Sequence, residues 1–128
     1  MINHVEMSTA NDMKMKGNEC LSKKNFAEAV EWYTKGIEME PSNHILYSNR
    51  SAAYLSMKSY DKALQDADKC IQLNPSWDKG YNRKAAVQQA TGEFEGCKET
   101  IENGRMNIRI MIIRFKGMRQ YTSSSKNS

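Results

Sequence analysis

The sequence has no hydrophobic run near the roughly 20 residues that a bilayer-spanning helix needs. It also has no basic-then-apolar leader at its start. We therefore expect neither a transmembrane segment nor a secretory signal, and we predict a cytoplasmic location, with the nucleus as the other cellular compartment open to it. Apolar residues make up only 39% of the chain and the mean hydropathy is −0.77. This favours a thin solenoid, in which each unit buries only its neighbours' faces.

Residues that carry catalysis or bind metals are scarce and scattered. The three cysteines, Cys20, Cys70 and Cys97, have no metal-ligand spacing, and neither His4 nor His44 lies near another histidine or a cysteine motif. No nucleophile–base pair and no glycine-rich phosphate loop is present. We therefore predict that the chain is not an enzyme, uses no metal or other cofactor, and keeps its cysteines as small buried thiols.

Acidic residues are absent from the last 24 positions. Residues 1–104 carry 13 Lys/Arg and 15 Asp/Glu, a net charge of −2, whereas residues 105–128 carry six Lys/Arg and no acid. The basic isoelectric point therefore comes from the C-terminal segment and does not indicate a nucleic-acid-binding body. A nucleic-acid binder would depend on 105–128, so deleting that segment would abolish its binding.

A single unit repeats with a period of 34 residues over the frames 10–43, 44–77 and 78–111. Aromatic residues recur at the start of the second helix of each unit, and proline closes the first two units. Small residues recur where two helices would cross closely: Gly17, Ser51 and Ala85 in the first helix, and Gly36, Cys70 and Gly104 in the second. The pattern predicts an all-α fold of three helix–turn–helix repeats over residues 8–104.

Helical spacing and stop signals predict the helix bounds. Ser8 or Thr9 can cap a first helix that runs to about Leu21. Further helices are expected at about 26–39, 44–57, 60–73, 77–90 and 93–104, with Asn43 as the N-cap of the third and the same loop chemistry repeated at 74–76. Residues 1–7 are expected to be frayed.

The C-terminal segment departs from the repeat, because Arg109 occupies the place of the third closing proline. We predict a divergent basic and apolar cap over 105–121, followed by a disordered tail over 122–128. Three interpretations of the cap stay open. It could be a helix with an apolar face, an altered reading frame over about 105–115, or a basic amphipathic segment on a membrane surface. The proposed apolar face consists of Ile108, Met111, Ile112, Phe115 and Met118.

Polar and cationic side chains converge on one face of the three first helices. Positions 2, 5, 6 and 9 of each unit are helical neighbours, because residues three and four apart lie side by side. This face carries Lys14 and Asn18 in the first unit, Asn49 in the second, and Lys79 with Arg83 in the third. The stacking of the units predicts one concave groove lined by three cations and two amides.

Such a groove suits an acidic peptide with a free C-terminus. A terminal aspartate presents two carboxylates a few ångströms apart, and lysine and arginine bind carboxylates through charge-assisted hydrogen bonds. Asparagine donates and accepts, so Asn18 and Asn49 can contact both carboxylate and peptide groups. We expect neighbouring contacts to the rest of the peptide from Ala52, Leu55, Ser56, Ala86 and Gln89.

The period, the small residues and the closing prolines over residues 8–104 resemble the tetratricopeptide repeat (TPR) family. The resemblance implies a right-handed superhelix whose first helices line the concave face. The five groove residues also match, one by one, the carboxylate clamp of chaperone-binding TPR domains, and the chain is most similar to the first such domain of the Hsp-organising, or stress-inducible, co-chaperones. Two stretches carry this likeness, 43–54 and 75–86.

This resemblance implies a co-chaperone module that binds the Glu-Glu-Val-Asp tails of heat-shock chaperones, with the seventy-kilodalton class favoured over the ninety-kilodalton class. The alternative is a TPR scaffold that binds an internal protein segment or helix without reading a free carboxylate. Lys16, Arg50 and Lys84 fall outside the clamp positions and are expected to be solvated or to pack. The abrupt ending leads us to expect a fragment of a longer co-chaperone, and an uncapped apolar third repeat could self-associate.

Overall fold

A computed structural model describes residues 8–126, with side chains described for residues 8–119. The expectation of fraying for 1–7 lies outside these residues. The described part consists of helices and turns without a strand. The helices are α1 (Ala10–Ser22), α2 (Phe26–Met39), α3 (His44–Ser56), α4 (Tyr60–Leu73), α5 (Asp78–Ala90) and α6 (Phe94–Lys126).

Consecutive helices form three hairpins, in which α1 packs on α2, α3 on α4, and α5 on α6. The hairpins stack in chain order through contacts of α2 with α3 and of α4 with α5. The first helices also meet directly, since α3 contacts both α1 and α5. The prediction of an all-α fold of three repeats is confirmed, and the first helices share one layer.

Small residues mark the helix crossings, as the repeat predicts. All six recurring positions are buried: Gly17, Ser51 and Ala85 in the first helices, and Gly36, Cys70 and Gly104 in the second. The two terminal hairpins use glycine to admit an aromatic ring. A Cβ atom at Gly17 would lie 2.6 Å from Cδ1 of Tyr33, and one at Gly104 would lie 2.6 Å from Cγ of Tyr81. These glycines are therefore required by close packing.

Two of the predicted helix caps are present. The Thr9 hydroxyl accepts from the Asp12 backbone N–H at 3.2 Å, and the Asp12 carboxylate accepts from the Thr9 N–H at 2.9 Å, which forms a capping box. The Asn43 side chain accepts from the Ile45 N–H at 3.1 Å. The loop is repeated at 74–76, where the Trp77 N–H donates to the Asn74 carbonyl at 3.2 Å as the Asn43 N–H donates to the Glu40 carbonyl at 3.1 Å, but Trp77, the N-cap of α5, makes no side-chain cap bond.

Arg50 has a packing role and is not a solvated surface cation. Its Nε lies 2.7 Å from Asp66 Oδ2 and its Nη2 lies 2.8 Å from Oδ1, so the pair is bidentate. Its Nη1 donates to the Thr34 hydroxyl at 3.1 Å. Thr34, Arg50 and Asp66 belong to α2, α3 and α4, so this one side chain ties the first hairpin to the second.

The third unit ends differently from the prediction. We expected a helix to about Gly104 and a separate cap over 105–121, but α6 runs from Phe94 to Lys126 without a break. Arg109 replaces the expected proline, and no proline follows, so no residue removes a helical hydrogen bond. The expected disorder of 122–128 is likewise not found for 122–126, whereas 127 and 128 lie outside the described residues.

Most of the expected apolar face of the cap is exposed in the structure. Ile108 is half-buried, whereas Met111, Ile112, Phe115 and Met118 are exposed. The Asn107 amide donates to the Tyr81 hydroxyl at 3.0 Å, and the described side chains of α6 beyond Ile108 are exposed. Within the described residues, no helix combines the length and the hydropathy needed to span a bilayer.

Replacing Gly17 with alanine should destabilise the fold. The new Cβ would collide with the Tyr33 ring, and overpacking of this kind costs about 1–3 kcal/mol, partly offset by alanine's helix propensity of about 1 kcal/mol. Gly117→Ala is the matched control, because nothing lies within 4 Å of a Cβ there. Thermal unfolding should show a lower Tm for Gly17→Ala and an equal or higher Tm for Gly117→Ala. Equal Tm values for both variants would contradict the tight crossing.

Replacing Arg50 with alanine should cost about 3 kcal/mol, because it leaves the Asp66 carboxylate unpaired where only 7% of its side chain is exposed. The control is Lys84→Ala, which breaks an ion pair with Asp68 whose side chains are 30% and 51% exposed. That change should cost less than about 1 kcal/mol. Urea unfolding measures the free energy of unfolding of each variant. Similar losses of stability in the two variants would contradict a larger structural role for the Arg50–Asp66 pair.

Candidate functional site

The predicted groove contains a direct contact between the first two repeats. Asn49 Nδ2 on α3 donates to Asn18 Oδ1 on α1 at 3.2 Å. The two amides were predicted from the sequence to line one face, and they lie side by side across the helix–helix contact. Asn49 is therefore adjacent to the first repeat, as its central place in the groove requires.

Tyr33 adds a second donor to the same oxygen. Its hydroxyl donates to Asn18 Oδ1 at 2.6 Å, while its side chain is fully buried. Burial raises the pKa of Tyr33 to about 12, so the hydroxyl is a donor at neutral pH. From the sequence alone Tyr33 is a core packing residue on the apolar stripe of α2, so this role was not predicted. One feature of the sequence could have indicated a polar role for Tyr33. The equivalent residues of the other repeats, Ala67 and Ile101, are apolar and have no hydroxyl.

Arg83 reaches from the third repeat to the second. Its Nε donates to the Ser48 hydroxyl at 3.2 Å, and Ser48 is fully buried on α3. Burial raises the pKa of Tyr33 and of Cys70, and the positive charge of Arg83 offsets part of both rises. The guanidinium thus lies within electrostatic reach of Tyr33 in the first repeat. Arg83 on α5 therefore contacts the residue that precedes Asn49 on α3, and Asn49 contacts Asn18 on α1.

The two lysines stand one helical turn before these groups. Lys14 precedes Asn18 by four residues on α1 and is half-buried, and Lys79 precedes Arg83 by four residues on α5 and is exposed. The structure does not bring either amine into contact with the two asparagines or the arginine. Lys79 Nζ lies 5.6 Å from the centre of the Trp77 ring. The structure therefore joins Asn18 directly to Asn49, whereas Arg83 bonds to Ser48, the residue before Asn49, and the two lysines lie one turn before Asn18 and Arg83.

Carboxylates do not neutralise the groove. Among the described side chains, Lys14, Lys79 and Arg83 form no ion pair, and three cations outside the predicted clamp do: Lys23 with Glu19, Arg50 with Asp66, and Lys84 with Asp68. Lys16, also outside the clamp, lies over the Trp32 ring at 4.7 Å. Positive charge is therefore left available in the groove and is compensated on the neighbouring surfaces.

The five neighbouring residues that we expected to contact a peptide lie on the C-terminal halves of α3 and α5. Ala52, Leu55 and Ala86 are half-buried, and Ser56 and Gln89 are exposed. The Ser56 hydroxyl donates to the Ala52 carbonyl at 3.1 Å, within its own helix. Uncharged side chains that are at least partly exposed therefore follow Asn49 along α3 and Arg83 along α5.

The site offers non-covalent binding of an anion. The described residues contain no cluster of three or more His, Cys, Asp or Glu that could hold a metal. Burial raises the pKa of Cys70 to about 11, so this thiol stays protonated and is a poor nucleophile. Amide, ammonium and guanidinium donors remain, and their natural ligand is a carboxylate.

Comparison with known proteins connects this geometry to a family. Residues 15–43 and 45–76 match the tetratricopeptide repeat model. The heat shock protein sti1 homolog of Schizosaccharomyces pombe is 44% identical over 95 residues, which is 74% of this chain and 16% of the relative. The chain thus spans a small part of that relative's length.

Two solved structures share the fold and were determined with chaperone tails. The TPR2B domain of yeast Sti1 in complex with an Hsp70 peptide has a TM-score of 0.74 and 28% identity, covering 93% of this chain and 98% of that one. The second TPR of Spaghetti (RPAP3), bound to the HSP90 peptide SRMEEVD, has a TM-score of 0.72 and 27% identity, covering 80% of this chain and 95% of that one.

Proposed function

The chain belongs to the tetratricopeptide repeat family, and we propose that it is a co-chaperone-type module that captures the acidic C-terminal tail of heat-shock chaperones. The clamp consists of Lys14, Asn18, Asn49, Lys79 and Arg83. The observation that supports the proposal is the contact between Asn49 and Asn18, together with an Arg83 that bonds to Ser48, the residue before Asn49, and has no ion-pair partner among the described side chains. Three successive repeats thereby contribute to one site for an anion.

The two carboxylates of a terminal aspartate divide naturally between the two ends of this site. The Asn18 and Asn49 amides with Lys14 can hold one carboxylate, and Arg83 with Lys79 can hold the other. Each charge-assisted hydrogen bond contributes about 1.5–3 kcal/mol net. An amidated peptide would lose one of the two charges, so the free terminus is the chemical feature that this arrangement selects.

We propose the seventy-kilodalton chaperone class as the favoured partner, with the ninety-kilodalton class second. The likeness of 43–54 and 75–86 to the first TPR domain of the Hsp-organising co-chaperones supports this order. Residues upstream of the terminal aspartate would contact Leu55, Ser56 and Gln89, with Ala52 and Ala86 leaving room for apolar side chains. The module acts by binding alone, as a non-enzymatic unit, and we place it in the cytoplasm with its partners.

Binding of a free-acid peptide ending in Glu-Glu-Val-Asp should be micromolar, near −8 kcal/mol. Arg83→Ala should weaken it by at least about 2 kcal/mol, or about thirtyfold, because a ligand carboxylate is left unpaired. Raising the salt from about 0.1 M to about 1 M should weaken the wild type as well, since screening shortens the Debye length from about 10 Å to about 3 Å. Isothermal titration calorimetry measures each value.

Lys84→Ala is the matched control, because it removes one positive charge from the adjacent residue, which already pairs with Asp68. Its affinity should stay within about twofold of wild type. Wild-type binding that survives amidation of the peptide would favour the scaffold that binds an internal segment. Arg83→Ala binding at wild-type strength would contradict the clamp.

A further inference from the structure

We propose that two buried hydroxyls outside the clamp, those of Tyr33 and Ser48, are positioning residues that orient the clamp before a peptide arrives. Tyr33 fixes the amide of Asn18, and Ser48 fixes the guanidinium of Arg83. The inference rests on the proposed function and concerns how its site is built. Neither hydroxyl is expected to touch the peptide, because both side chains are fully buried.

The amide of Asn18 is oriented because its oxygen accepts two hydrogen bonds. An amide oxygen has two lone pairs. Asn18 Oδ1 accepts from the Tyr33 hydroxyl at 2.6 Å and from Asn49 Nδ2 at 3.2 Å. A flip of the Asn18 amide would face its NH₂ group toward two donors. The Nδ2 group is therefore left as the open function of Asn18, and it offers the groove donors only, which suits a carboxylate.

The same reasoning applies to Arg83 at the other end of the site. Its Nε–H is engaged by the Ser48 hydroxyl at 3.2 Å, so the side edge of the guanidinium is occupied. The four N–H groups on Nη1 and Nη2 are left for a ligand, and two of them match the spacing of a carboxylate's oxygens. Ser48 thus favours an end-on approach of the peptide's carboxylate to Arg83.

Burial makes both hydroxyls effective as orienting groups. Tyr33 is packed against Gly17 on α1, and Ser48 is fully buried on α3, so both side chains are surrounded by protein. The protonated state of Tyr33 at neutral pH keeps its hydroxyl a donor. A clamp that is held in its binding geometry loses less side-chain entropy when it binds. The hydroxyls should therefore affect affinity without contacting the ligand.

The test uses substitutions that remove only the hydroxyl groups. Tyr33→Phe and Ser48→Ala should each weaken binding of a free-acid Glu-Glu-Val-Asp peptide about three- to tenfold, the effect of one lost hydrogen bond. The ratio of free-acid to amidated affinity should fall by a similar factor, because the loss falls on carboxylate recognition. Calorimetry gives both affinities, and thermal unfolding gives the Tm of each variant.

The fold offers matched controls. Tyr47→Phe removes a hydroxyl that donates to the Pro41 carbonyl at 2.9 Å, and Ser51→Ala removes a buried hydroxyl that donates to the Ala63 carbonyl at 2.8 Å. Both lie on α3 and have no bond to a clamp residue. They should lower the Tm about as much as the test variants, with affinity and the free-acid ratio within about twofold of wild type.

Two results would overturn the inference while leaving the proposed function intact. One is wild-type affinity and free-acid ratio in Tyr33→Phe and Ser48→Ala. The other is an equal loss of affinity in the test variants and the controls, which would reveal a general effect of stability. A wild-type protein that fails to distinguish free-acid from amidated peptide would instead contradict the proposed function itself.

Discussion

The missing side chain at Gly17 is the constraint on which both the first hairpin and the groove depend. Because no Cβ stands there, the ring of Tyr33 on α2 lies directly against α1. The ring fills the space between the two helices, and its hydroxyl then reaches Asn18, the next residue along α1. Core packing and the orientation of a groove amide therefore arise from the same close approach, and a larger residue at 17 would disturb both.

Charge is distributed so that stability and binding use different cations. Arg50, one residue after Asn49, completes a buried ion pair with Asp66. Lys84, one residue after Arg83, pairs with Asp68. Successive helical residues point about 100° apart, so one cation can face the groove while the next secures the adjacent helix. Among the described side chains, the acidic partners thus pair with the cations that follow Asn49 and Arg83, and not with Arg83 itself.

The sequence was a good guide wherever a feature recurs or is local. The 34-residue period located five helices to within a residue or two at each end, because closing prolines and small residues repeat in register. The convergence of Asn18 with Asn49 followed from the same register. The hydroxyl of Tyr33 could not be assigned, since a buried tyrosine on an apolar stripe looks like packing until its partner is located. That partner lies 15 residues away on another helix.

The length of α6 was missed for a different reason. A proline at the third closing position would have ended the helix, and its replacement by Arg109 removes the only stop signal that the repeat supplies. Local propensity then continues the helix, although little of the chain beyond Ile108 is covered. Only tertiary contacts distinguish a separate cap over 105–121 from a continuation of α6, and the 34-residue period contains no information on those contacts.

The groove is nevertheless independent of that extension. The clamp residues lie on α1, α3 and α5, the first helices of the hairpins, whereas α6 is a second helix and contacts α5 from the other layer. The anchoring of α6 to α5 is complete by Asn107, through Gly104 against the Tyr81 ring and the Asn107 amide on the Tyr81 hydroxyl. The helix α5, which carries Lys79 and Arg83, thus packs against the part of α6 that follows the 34-residue repeat. The exposed apolar residues of α6 beyond Ile108 lie on a different helix from every proposed clamp residue.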